Sequence, residues 1–138
     1  MKARKLDRLL RVRTLQLGQV RAQEAEARAR VIKEEELRTR IAQLSANVAP
    51  AESQGLATSL IAAAHYRERL QQSAFAADRR VAVASEGLSA AQAATREAKR
   101  DQSAIEKLIA REHAEAALKA LRALEELPPS GRNRHDLC

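Results

Sequence analysis

Few side chains in this sequence combine in the way that catalysis or metal binding needs. The histidines are His65, His113 and His135, and none has a second His, Cys or clustered carboxylate at metal-ligand spacing. Cys138 is the single cysteine, so it has no partner for an internal disulfide, a pattern that fits a reducing compartment. There is no glycine-rich phosphate loop, no HExxH and no Ser-His-Asp logic. The acidic run Glu34, Glu35, Glu36 reads as a solvated helix face. The expectation is a protein without catalytic residues, cofactor or metal.

The more specific feature is a cluster of cations, Lys2, Arg4, Lys5, Arg8, Arg11 and Arg13, at the start of a helical pattern. Positive charge there opposes the helix macrodipole, which favours anions at that end. Leu6, Leu9, Leu10 and Val12 interleave with it, a combination suited to a membrane surface or to a protein partner. The chain carries a net charge of +7, so acidic partners in general come into question. Nucleic acid is not expected, because aromatic residues for base stacking are nearly lacking: one Tyr, one Phe and no Trp.

The same scarcity of aromatics limits the fold. Alanine supplies much of the 45% hydrophobic content, and it is the best helix former while burying little. Ala, Leu, Glu, Arg and Lys dominate, and only four Gly and three Pro interrupt them, which signals long helices. A first helix is predicted over about residues 5–48. Alternating steps of four and three from Leu6 reach Arg13, Leu17, Val20, Glu24, Ala27, Val31, Glu34, Arg38, Ile41, Ser45 and Val48, and eight of these 13 positions are apolar. Pro50 stops this helix, and residues 49–55 form a turn. A second helix is predicted over about residues 54–127. Its series, from Leu56 through Leu60, Ala63, Arg67 and Leu70 to Ile105 and Ile109, is apolar at 13 of 16 positions. Pro128 and Pro129 end it, and residues 128–138 read as a disordered tail.

These elements predict an all-α fold: one long two-helix antiparallel coiled-coil hairpin over residues 1–127, with an overhanging C-terminal helix. A turn centred near Ala51 sets residue i against residue 102 − i, which puts Leu6 opposite Arg96. Residues from about Glu97 to Leu127 then overhang, carrying Ile105, Leu108, Leu118, Leu121 and Leu124. A row of exposed apolar residues of this kind marks an interaction site. The longest uninterrupted apolar run, Leu60 to Ala64, is far short of the roughly 20 residues that span a bilayer, so a cytoplasmic protein is expected.

The stretches LDRLLRVRTLQLGQVRAQEAE, HYRERL and AIEKLIAREHAEAALKALRALEE, together with the unequal helices, resemble the FliJ family of flagellar and type III export stalk proteins. The likeness in length and layout covers the whole chain. It implies a non-enzymatic stalk, similar to the γ stalk of rotary ATPases, that inserts into a hexameric export ATPase and links it to the cytoplasmic ring of a membrane export gate. Carried over by position, Leu6, Arg8, Leu9, Leu10 and Arg13 with Leu108, Arg111, Leu118 and Leu121 would face the ATPase. Ile41, Leu44, Tyr66, Leu70 and Phe75 would face the export-gate membrane protein. Export chaperones are further implied partners, with peripheral membrane association only. Two other readings stay open on the residues themselves: a self-associating coiled-coil scaffold, and a basic helix that binds nucleic acid or anionic membrane.

Overall fold

The computed structural model describes residues 2–48 and 57–128. The expected turn over 49–55, most of the expected tail, and Cys138 lie outside the described residues. Within them the protein is all-helical, built from α1 (Lys2–Asn47) and α2 (Ala57–Glu125) packed closely side by side. At about 1.5 Å per residue, α1 is about 69 Å long and α2 about 104 Å. A compact protein of 15.2 kDa would expose about 7,100 Å². This chain exposes 12026 Å², the signature of a rod.

Burial follows the sequence spacing closely. On α1 every buried or half-buried residue belongs to the series that starts at Leu6, and only Arg38 and Ser45 of that series are exposed. On α2 the series holds at Ala63, then from Leu70 through Ala77, Val81, Ala84 and Ile105 to Ile109. Leu60 and Arg67 are exposed despite belonging to it. Fully burying one leucine or isoleucine contributes about 1.5–3 kcal/mol, and here such residues form a single file between two helices. The interior is thin: Leu17, Ile41, Ala77, Val81, Ala84 and Ile105 are its only buried members among the described residues.

The polar contacts between the helices fix direction and register. Arg13 pairs with Asp101 at 3.0 Å, Gln102 Nε2 donates to Thr14 Oγ1 at 3.1 Å, and Arg80 and Arg38 approach Glu34 and Asp78 at 3.9 Å. Early residues of α1 therefore meet late residues of α2, and the helices run in opposite directions. At both places residue i lies beside residue 114 − i or 116 − i. The expected register of 102 − i is thus wrong, and Leu6 lies level with Ile109 instead of Arg96. In this register apolar layers and polar pairs agree. At about 115 − i the two apolar series meet layer by layer, with Leu17 level with Ala98, Val31 with Ala84, Ile41 with Ala74, and Leu88 with Ala27. A register of 102 − i would instead set Leu17 against Ser85 and Leu6 against Arg96.

The corrected register also moves the overhang. Lys2 lies level with about residue 113 of α2, so α2 runs past α1 only from about there to Glu125, and not from Glu97. Asn47 lies level with about residue 68, so α2 also runs past α1 at its other end, over Ala57 to about Arg67. Leu60 and Arg67 lie past the level at which α1 ends.

Candidate functional site

The two projecting ends of α2 are the surfaces best placed to meet a partner. At the C-terminal end Leu118, Leu121, Leu124 and Leu127 are 55–63% exposed. Successive helical residues turn by about 100°, and that rotation puts Leu121 on the side of α2 away from Ile105. Leu118, Leu121 and Leu124 therefore do not prolong the seam with α1. They form a second apolar face, flanked on its other side by Arg111, Glu115, Lys119 and Arg122. At the opposite end Leu60, Ile61 and Tyr66 are 47–62% exposed.

The candidate ATPase-facing residues divide into two groups. Leu6 and Leu10 are half-buried in the seam, level with Ile109 and Ile105. Arg13 is also partly engaged within the chain, by Asp101 and by a hydrogen bond donated to Gln16 Oε1 at 3.1 Å. Arg8, Leu9, Leu108, Arg111, Leu118 and Leu121 are exposed and available. Leu6, Leu9, Leu10 and Leu108 share one end of the rod, while Leu118 and Leu121 extend beyond it.

The candidate gate-facing residues are less unified. Ile41 is 9% exposed and its side chain is used between the helices, and Leu70 is half-buried. Leu44, Tyr66 and Phe75 are exposed. Ile41 and Leu70 thus hold the helices together at this end, and the exposed three are left to make contacts.

Of the histidines, His65 faces Glu68 at 4.0 Å with both side chains largely exposed, and His113 is exposed. Among the described residues no group of three or more His, Cys, Asp or Glu side chains could hold a metal ion. Among the described residues no helix is long and apolar enough to cross a membrane. Of the acidic run, Glu35 and Glu36 are exposed, whereas Glu34 is half-buried in the seam. Its Oε2 is buried without a hydrogen bond, because Arg80 Nε at 3.9 Å is too distant to donate one.

One feature escaped the sequence reading. Arg96, Lys99, Arg100 and Lys107 line a shallow depression on α2 together with Ser103 and Ala104. Their three- and four-residue spacing, which places them on one helical face, was the available signal.

Comparison with known protein families, with characterised proteins and with solved structures finds no match to this chain.

Proposed function

We propose that this chain is a non-enzymatic stalk of a type III, flagellar-like protein export apparatus. It is an antiparallel coiled-coil hairpin that joins an export ATPase hexamer at one end to a membrane export gate at the other. The observation that carries the reading is that α2 outruns α1 at both ends and exposes apolar residues at each: Leu118, Leu121 and Leu124 at one, Leu60, Ile61 and Tyr66 at the other. A rod with an unfinished surface at each end suits a linker between two bodies. The three-and-four spacing of the shielded positions supports a coiled-coil seam between them. Such a stalk promotes assembly of the ring and transmits its state to the gate, with no chemical step of its own.

The test is sedimentation and ATP turnover of an export ATPase with the full chain and with a chain ending at Glu112. That truncation leaves the paired part of both helices and removes the projecting leucines. The stalk reading expects the full chain to raise hexamer formation and turnover, and the shortened chain to do neither. A chain that self-assembles through the same leucines and ignores the ATPase contradicts it and supports the scaffold reading.

A further inference from the structure

The net charge of +7 is not spread along the rod. Residues 2–13 carry six cations and one anion, and residues 96–111 carry five cations and three anions, an excess of seven. The remainder of the chain holds fourteen of each sign and sums to zero. On α2 these charges are also sorted around the helix. Successive residues turn by about 100°, so Arg100 and Lys107 fall within about 40° of the direction of Arg96, directly opposite the buried Ile105. Lys99 lies about 60° from that direction, and Glu97, Asp101 and Glu106 lie about 80° or more away. Arg96, Lys99, Arg100 and Lys107 line one shallow depression, and among the described residues none of them is ion-paired within the chain.

The same line runs on into the projecting end of α2. Steps of three and four lead from Lys107 through Ala110 and Ala114 to Leu118 and Leu121. That is the spacing of the seam with α1, repeated on the opposite side of the helix. Leu118 and Leu121 are 55% and 56% exposed. The small residues Ser103, Ala110 and Ala114 leave room between the longer side chains for a second helix to come close. From Arg96 to Leu121 the stripe is about 38 Å long at 1.5 Å per residue. α1 packs on the other side of α2, so nothing among the described residues covers it.

From this arrangement we infer that the back of α2, from Arg96 to Leu121, is a docking stripe for an amphipathic helix of another protein. That helix is acidic where it meets the cations and apolar where it meets the leucines. A helix fits because a ridge stepped by three and four is the surface with which helices interlock. Carboxylates are the charge complement of Arg96, Arg100 and Lys107, and apolar side chains cover Leu118 and Leu121. Lipid fits less well. A helix lying on a membrane keeps its Lys and Arg on a polar face, apart from the apolar one, whereas here cations and leucines share one line and would sit at one depth. A phosphodiester backbone would meet the cations and leave the leucines uncovered, and the stripe has no aromatic residue on which bases could stack. The inference does not rest on the stalk reading, since it holds for any protein that presents such a helix.

The test is fluorescence anisotropy of the full chain with two labelled helical peptides of about 25 residues, enough to span the stripe. Each carries Glu on half of one face and Leu on the other half, in the two possible orders. At least one is expected to bind, more weakly as salt rises, and a version with Gln in place of Glu is expected to bind about tenfold less tightly. Arg100→Glu with Lys107→Glu should lower the affinity about tenfold or more, and Leu118→Ala with Leu121→Ala about tenfold at unchanged charge. Arg4→Glu with Arg11→Glu makes the same change of charge on α1 and should change it less than about twofold, because screening confines a charge to its surroundings. Circular dichroism of each variant checks that the helices persist. No binding of either peptide at low salt overturns the proposal. So does binding that survives either stripe variant in a folded chain, or that falls equally in the α1 variant. Tighter binding to anionic vesicles or to a short DNA duplex through the same cations also overturns it, as does pairing of the chain with itself through Leu118 and Leu121 in sedimentation.

Discussion

Single residues matter very unequally in a rod with so thin an interior. Leu17 is 4% exposed and Leu15, two positions away, is 70% exposed. Leu17→Ala is expected to lower stability by about 2–4 kcal/mol, through lost burial and the cavity it leaves. Leu15→Ala should stay within about 0.5 kcal/mol. Urea unfolding followed by circular dichroism separates the two, and equal losses would mean that the seam is placed wrongly. The ion pairs count for less. Arg13 and Asp101 are 40% and 44% exposed, so water and salt screen the pair, and Arg13→Ala should change stability by less than about 1 kcal/mol. At this scale the sequence was informative about which residues turn inward, because a repeat of three and four steps is a direct record of a helix face. It was uninformative about roles. Ile41 has the composition of a contact residue, yet it is consumed by the seam, and only the neighbouring helix shows that.

At the scale of the helices, both elements hold an interior glycine that nothing requires. Gly18 and Gly87 have open space where a Cβ would stand, and neither adopts a positive φ. Gly18→Ala and Gly87→Ala are each expected to raise stability by about 0.5–1 kcal/mol, chiefly by reducing backbone freedom in the unfolded chain. Thermal unfolding of the single variants checks this, and a loss of stability would indicate that another surface approaches one of those positions. The lengths of the helices were legible from Pro50 and Pro128, but their mutual register was not read correctly. Centring the turn on Ala51 takes α2 to begin level with the end of α1. The stripes alone do not select a register, because shifts of a heptad leave them matched: 101 − i and 108 − i set Leu17 against Ala84 and Ala91, as 115 − i sets it against Ala98. The pairing of Arg13 with Asp101 and of Gln102 with Thr14 is what distinguishes them. Paired cysteines test this in a chain with Cys138 replaced: Val31→Cys with Ala84→Cys should cross-link readily, and Leu6→Cys with Arg96→Cys should not. The reverse result would restore the shorter register.

For the whole molecule, the consequence of that register is a rod with exposed apolar residues at each end and its net charge gathered at one of them. Unequal helices were visible in the sequence, and so was the need to cover Leu118, Leu121 and Leu124. The projection of Ala57 to about Arg67 was not, because it depends on where α1 stops relative to α2 and not on any local motif.

The most direct test of the stalk account is site-specific photo-cross-linking to an assembled export ATPase. A photoreactive residue would be placed in turn at Leu121, at the projecting end, and at Val83, which is 68% exposed in the middle of the rod. The account predicts cross-links to the ATPase from Leu121 and none from Val83. Cross-links from Val83 alone, or none from Leu121 when the hexamer is present, would contradict it.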